Sequence, residues 1–322
     1  MFQENKGLLF GSLCIDPHTS PKCKNVFLSH AHSDHVKLSK KSTFFATPET
    51  IDLVKQRFGD ATFVPLEMNK KKKFDEFELE LINNGHILGS AQAKFFTDDK
   101  EYVFTSDFRL QDSVFFKGAP PLPCETLVLE TTFGSPKYVF PKQSEIYDEM
   151  VSWVKDKSKQ GLVLLAGYSL GKAQELTKIA NDAGVIPIVH DSIFESNKIY
   201  EKHGVKVGDY LKLDHNLKDS TVLIMPPQLV GKHLFATLEH FDKRKIFSAL
   251  ASGWEFRGSF DKTFPLSNHA DYNDLIEYVK LSNPKLVLTD HGFCEEFARK
   301  LNKLGYNAKP LKQHKQKLMS EY

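Results

Sequence analysis

The chain has 322 residues, 41% hydrophobic and 26% charged, which fits one large or two modest globular domains at roughly 100–200 residues each. Its 43 Lys and Arg against 41 Asp and Glu leave a formal charge of +2, so no global excess announces a polyanionic partner and any such contact must come from a local patch. The start MFQENKGLLFGSLCIDP has no basic stretch ahead of an apolar one, and no run of about 18 apolar residues occurs, so a soluble, cytoplasmic protein with no membrane contact is the expectation.

In chain order, residues 25–29 (NVFLS) predict a short apolar strand running directly into HAHSDH. TPETIDLVKQRFG predicts a helix with Thr47 as N-cap, Pro48 at its first position and Gly59 as its stop. Residues 79–82, 93–96, 102–104 and 126–129 read as strands, the middle pair joined by the polar turn TDDKE, which gives a hairpin-rich sheet. From about residue 142 helices and strands alternate: a helix over 144–157, a strand at 162–165, a helix from Lys172, a strand at 185–189, a helix after Ser192 and a strand at 222–225. That rhythm is a set of βαβ units. After Pro265, SNHADYNDLIEYVK predicts a helix behind a polar loop, followed by a strand at 285–288 that leads into DHGF and a helix over 295–304. The lysine runs at 70–73 and from Lys309 onward read as solvated faces. Cys14, Cys23, Cys124 and Cys294 form no C-x-x-C pair and read as free, mostly buried thiols.

Among 13 histidines, His30, His32 and His35 fall with Asp34 within six positions at a strand end. Three imidazoles and a carboxylate leaving one loop repel one another once protonated and add nothing to a core unless a cation organises them, so a metal site is expected there. This H-x-H-x-D-H run resembles the signature of the metallo-β-lactamase superfamily, and the resemblance continues in order with His86 in INNGHILGSAQ and Asp107 in FTSDFRLQD. It implies two zinc ions per chain. His30, His32 and His86 would hold one, Asp34 and His35 would help hold the second, and Asp107 would bridge them. Imidazole suits zinc, and a bridging carboxylate keeps two divalent ions roughly 3.5–4 Å apart, where water becomes a nucleophile near neutral pH.

Three further residues resemble motifs of the β-CASP branch, whose members cut nucleic acids and carry an α/β domain inserted late in the fold. They are Glu130 in TLVLETTFG, His269 in LSNHAD and His291 in LTDHGF. The resemblance implies that His291 completes the second metal site and that His269 is the general acid that protonates the leaving oxygen. Glu130 would orient His269, and Asp34 is counted with the catalytic residues as well as the ligands. Within the βαβ block, AGYSLGKAQE runs from a strand into a helix, and Ser169, Gly171 and Lys172 are expected to form an anion site there. That segment is similar to the 5′-phosphate pocket of DNA cross-link repair nucleases, so a terminal phosphate is its expected ligand. Trp254 and Arg257 in SGWEFRG are candidates for base stacking and phosphate contact, beside the plainer reading of a core aromatic and its turn.

Across nearly the whole chain, FGSLCIDP, LSHAHSDH, GHILGSAQ, ETTFGSPKYVFP, GYSLGKAQEL, ASGWEFRG, LSNHADY and DHGF resemble the DNA-ligase-associated exonucleases, a compact β-CASP group also described as messenger-RNA 3′-end processing-like. The implied fold is an αββα metallo-β-lactamase sandwich over 1–132 and 263–322, a β-CASP domain over 133–262, and an active site at their cleft. The implied function is zinc-dependent phosphodiester hydrolysis, in first place by a 5′-to-3′ exonuclease on single-stranded DNA in repair, with a DNA ligase or other repair proteins as partners. The histidine in DHGF is the form more usual in RNA-cutting members, so an RNA 3′-end processing endonuclease or RNA exonuclease is the alternative. A non-catalytic nucleic-acid-binding module would need lost ligands, and a small-molecule hydrolase would have no use for the inserted block.

Overall fold

The computed structural model describes residues 2–4, 8–214, 216–254 and 260–311. Two compact units result, one of Met1–Asp112, Phe116–Val139 and His269–Tyr322, the other of Ser113–Phe115 and Phe140–Asn268. The seams thus fall later than the sequence pattern placed them. Residues 133–139 stay with the first unit because the Tyr138 ring meets that of Phe293 at 5.5 Å, the Phe133 ring meets that of His269 at 5.9 Å, and the Tyr272 N–H bonds the Tyr138 carbonyl at 3.0 Å.

The first unit opens with β1 (Phe2–Glu4), β2 (Leu8–Phe10), β3 (Leu13–Ile15), β4 (Asn25–Phe27), β5 (Thr43–Ala46), α1 (Pro48–Phe58) and β6 (Thr62–Pro65), the six strands pairing in chain order. Pairing is antiparallel up to β3 and parallel from there. Thr47 caps α1 by accepting the Thr50 N–H at 3.2 Å, as its position ahead of Pro48 predicts. A second sheet starts with β7 (Lys71–Lys73), β8 (Glu78–Asn83), β9 (Ala91–Phe96), β10 (Glu101–Phe104) and β11 (Thr126–Glu130). The lysine run is its exposed edge strand, with Lys70 paired to Glu67 and Lys71 to Glu78, a charged edge that discourages further pairing.

The second unit takes the chain through α2 (Gln143–Lys157), β12 (Leu162–Ala166), α3 (Lys172–Asp182), β13 (Ile188–Val189), α4 (Asp191–Lys202), β14 (Leu211–Lys212), β15 (Val222–Met225), α5 (Lys232–Phe241), β16 (Ile246–Ala251) and β17 (Lys262–Phe264). Its sheet has the order β14-β13-β15-β12-β16-β17 and is parallel throughout. Helices cover both faces, which is why LVLLA of β12 is buried at every position rather than alternating. Met150, Val154, Leu176 and Ile179 pack on one face with Val163 and Leu165, while Leu238 meets Leu162, Leu164 and Leu223 on the other. The strand expected over 185–189 shrinks to two residues because Pro187 has no N–H to give to the ladder.

The chain then returns to the first unit with α6 (Tyr272–Ser282), β18 (Leu286–Asp290), α7 (Cys294–Lys303) and β19 (Ala308–Pro310), which completes the second sheet as β19-β18-β11-β10-β9-β8-β7. Phe10, Phe77 and Phe95 are buried between the two sheets, with Phe10 stacked on Phe95 at 4.3 Å. The outer face of the second sheet, with Val103, Leu127, Leu129 and Val287, is covered by Leu275 and Val279 of α6 and Phe297 and Leu301 of α7. On the opposite side Lys55 of α1 lies over Phe63, which itself packs against Phe44. The layers are therefore α, β, β and α.

One expectation fails in this unit. Cys14 and Cys23 are disulfide-bonded, because the parallel pairing of Cys14 with Val26 folds the intervening loop back and leaves the two Cα atoms 6.1 Å apart, within bridging range. Cys124 and Cys294 form no disulfide among the described residues. Among the described residues no helix is long and apolar enough to cross a membrane.

Candidate metal centre

Strands β4, β8, β10, β11 and β18 end on the same edge of the first unit, and each delivers one or more of the chemically active residues. His30, His32, Asp34 and His35 follow β4, His86 follows β8, Asp107 follows β10, Glu130 is the last residue of β11, and His291 follows β18. His30, His35, His86 and Asp107 are buried. Ring nitrogens of His30 and His86 each lie 3.1 Å from Nδ1 of His32. Oδ2 of Asp107 is 3.5 Å from Nε2 of His30, 3.7 Å from Nε2 of His86 and 3.4 Å from Nε2 of His35. Oδ2 of Asp34 is 3.7 Å from the same His35 nitrogen.

These separations fit zinc. Bonds of 2.0–2.1 Å at a tetrahedral angle set donor atoms about 3.3 Å apart, and the set His30, His32, His86 and Asp107 has edges of that size, all its donor atoms lying within 4.8 Å of one another. His35 adds a second observation. Its Nδ1 bonds Asp16 at 2.9 Å, while its Nε2 is buried with no hydrogen-bond partner among the described residues and faces Asp107 and Asp34, the orientation of a lone pair directed at a cation.

The electrostatics lead to the same place. Burial holds His30 well below the usual imidazole range, reinforced by His35. For His35 burial works the same way, but Asp107 and Asp34 outweigh it and hold the ring well above that range. Burial would raise Asp107, yet His35 and His269 hold it well below the usual carboxylate range, and His35 lowers Asp34 against its burial. The carboxylates thus draw positive charge into the cluster, the demand that divalent ions satisfy.

Asp16 joins the site although no motif in the sequence marks it as a site residue. It follows β3 with a left-handed backbone (φ 40) and accepts from the Ser29 N–H at 2.8 Å, from Ser29 Oγ at 2.5 Å and from His35 Nδ1. Ser29 Oγ in turn lies 2.9 Å from Nδ1 of His30. The signal was an acid directly after the apolar run SLCI, where burial demands a partner.

Glu130 and His269 come together as expected, with His269 Nδ1 at 3.0 Å from Glu130 Oε1. The two Glu130 oxygens also accept the Phe108 and Thr132 N–H groups at 3.1 Å each, and Ala270 N–H bonds the Phe108 carbonyl at 2.7 Å, so the pair is anchored from both sides. His269 lies with its ring centroid 4.8 Å from that of His86. His291 stacks nearly parallel to His35, 14° between planes and 5.6 Å between centroids, with Nδ1 3.3 Å from Asp290 Oδ2. Burial lowers its pKa, but Asp290 more than reverses this and raises it to about 9.

At the expected anion site in the second unit, several groups have protein partners. The Gly171 N–H, which would have faced an anion, donates to Gln174 Oε1 at 2.6 Å. Lys172 is buried and donates from Nζ to the Leu266 carbonyl at 2.6 Å, while Ser169 is half-buried with its carbonyl bonded to Gln174. The helix start is therefore closed largely by its own side chains, a capping arrangement that the motif GYSLGKAQ also satisfies. Trp254 is half-buried and its N–H bonds Ser252 Oγ at 3.0 Å; Arg257 lies outside the described residues.

A family model described as the Zn-dependent metallo-hydrolase RNA specificity domain matches residues 262–309, the stretch that contains His269 and His291. The chain is 31% identical over 304 residues to a probable DNA ligase of Opitutus terrae, covering 88% of this chain and 28% of that protein. It is 27% identical over 299 residues to the DNA cross-link repair protein SNM1 of Arabidopsis thaliana, covering 83% of this chain and 60% of that one, so it spans only part of either relative. A crystal structure of a protein of unknown function from Enterococcus faecalis V583 matches with a TM-score of 0.63 at 17% identity, over 90% of this chain and 80% of the other, a likeness of fold alone.

Proposed function

We propose that this chain, which belongs to the metallo-β-lactamase/β-CASP nuclease family, hydrolyses phosphodiester bonds of nucleic acid with two zinc ions. The observation that carries the reading is the sharing of one Asp107 oxygen by three imidazole nitrogens at 3.4–3.7 Å, flanked by His32 and Asp34. His30, His32, His86 and Asp107 would hold one ion, and Asp34, His35, His291 and the shared Asp107 the other. When bound, the pair supplies charge neutralisation at the phosphate and activation of the attacking water.

The protein's own residues do the rest. Asp16 accepts the His35 Nδ1 proton and so leaves Nε2 free to ligate, and Ser29 plays the same part at Nδ1 of His30. Glu130 engages Nδ1 of His269, which leaves Nε2 to give a proton to the departing oxygen and stabilises the charge the ring carries before it does so.

For the substrate we favour single-stranded DNA, degraded from 5′ to 3′ in repair, with a DNA ligase or other repair proteins as partners in the cytoplasm. The likeness to a probable DNA ligase and to a DNA cross-link repair protein supports this reading. The RNA specificity match over 262–309 favours RNA as the second reading. Incubation with 5′-labelled and 3′-labelled single strands of DNA and RNA, with and without chelator, tests both. Chelator-sensitive mononucleotide release from DNA 5′ ends is expected; cleavage confined to RNA would transfer the assignment, and cleavage of neither would remove it.

A further inference from the structure

We propose that Thr131 is the positioning residue of the second metal site, holding His291 in the backbone conformation that its ligand role requires; this rests on the reading of His291 as a ligand. Thr131 directly follows Glu130 at the end of β11, beside the end of β18. Its N–H bonds the Asp290 carbonyl at 2.7 Å, and its hydroxyl faces the carbonyls of Asp290 at 3.0 Å and His291 at 2.6 Å. Its own carbonyl accepts the Phe293 N–H at 2.9 Å. Asp290, His291 and Phe293 are thus each tied to Thr131 by a hydrogen bond.

Gly292 lies in close contact with Thr131. A Cβ there would stand 2.4 Å from the Thr131 carbonyl oxygen, so only glycine lets the loop wrap so closely. Gly292 and His291 are both left-handed, at φ 53 and 58. For histidine that conformation is sterically strained, and it persists only where surrounding bonds impose it. The short bond from the Thr131 hydroxyl to the His291 carbonyl is the one that acts on the strained residue itself. The strained backbone lays the imidazole flat against His35, whose Nε2 shares the Asp107 oxygen.

Two consecutive residues at one strand end therefore serve two different histidines: the Glu130 carboxylate fixes His269, and the Thr131 hydroxyl fixes His291. This division predicts a separation that a merely structural threonine would not produce. Removing the hydroxyl should weaken one metal site and leave the other, together with the Glu130–His269 pair, intact.

Zinc binding to the metal-free full chain, followed by competition with a chromophoric chelator, tests this in wild type, Thr131→Val, Thr131→Ser and His291→Ala. Thr131→Val should keep the tighter zinc and weaken the second by about 10–100-fold, the usual effect of removing a group that orients a ligand. Thr131→Ser should restore it, and the metal-free proteins should melt alike. Weakening in His291→Ala without weakening in Thr131→Val would overturn the positioning role alone. Two wild-type sites in His291→Ala would instead remove the ligand reading on which it rests. Loss of both zincs, or of a cooperative melt, in Thr131→Val would mark the residue as part of the fold and equally overturn the proposal.

Discussion

Asp107 and His269 show how single residues divide the chemistry. Asp107 presents one oxygen to three imidazoles, whereas His269 is held through Nδ1 by Glu130 and has no place in the ligand set we propose. His269→Ala is therefore expected to retain zinc and lose about 10²–10⁴-fold in turnover, the scale of general acid catalysis; metal analysis beside single-turnover rates checks it, and lost zinc would mean that His269 and His291 have exchanged roles. Ligand-type residues were legible in the sequence because imidazole and carboxylate crowded after apolar strands have few structural uses. Asp16 was not, since an acid after a strand is ordinarily a turn former, and only the fold shows it meeting Ser29 and His35.

At the scale of elements, the helices most legible in the sequence were those with explicit ends. Thr47 and Pro48 start α1 and Gly59 follows its last residue, and Asp271 caps α6 by accepting the Asn273 and Asp274 N–H groups at 2.9 Å. The three-residue strands β1, β3 and β17 were not legible, being shorter than any period that could announce them, whereas β4 of equal length was announced by the apolar run ahead of HAHSDH. The start of α3 carries two readings, since glycine, hydroxyl and lysine in GYSLGKAQ suit an anion site and a self-capped turn equally. With Lys172 buried on the Leu266 carbonyl, Lys172→Ala should lower stability by about 1–3 kcal/mol, the cost of leaving a buried polar partner unmatched, while 5′-phosphate and 5′-hydroxyl strands react at equal rates in the wild type. A preference for phosphorylated ends that disappears in the variant without loss of stability would restore the anion site.

The start of α6 also carries a pH dependence. Burial, with Asp271 beside it, raises the Asp274 pKa from 3.8 to about 6, against the opposing bond from Gln111 at 3.1 Å. A carboxyl raised on folding favours its neutral form there, so its stabilisation is full below the unfolded value of 3.8 and is lost as pH rises through about 6. Because Asp274 is only partly buried, the loss should be on the order of 1 kcal/mol after solvent screening. Urea unfolding across that window should show the decline in wild type and a flatter profile in Asp274→Asn; parallel profiles would contradict it.

On the scale of the whole molecule, the change from hairpins to βαβ units near residue 142 is reproduced as two compact units, the second with a wholly parallel sheet. Period and turn chemistry carry that much because a parallel strand covered on both faces reads as a continuous apolar run. The seam positions were not readable, since Phe133 and Tyr138 join the first unit through ring contacts with His269 and Phe293 that leave no periodic trace. The disulfide between Cys14 and Cys23 was equally hidden, its pairing following from strand register alone. Everything proposed for function depends on whether the cluster around Asp107 is a two-metal hydrolytic centre. Zinc titrated into the metal-free chain, with hydrolysis of a labelled single strand measured at each addition, should give cleavage that rises to saturation at two ions per chain. Saturation at a single ion, or no cleavage of DNA or RNA with both sites filled, would contradict it.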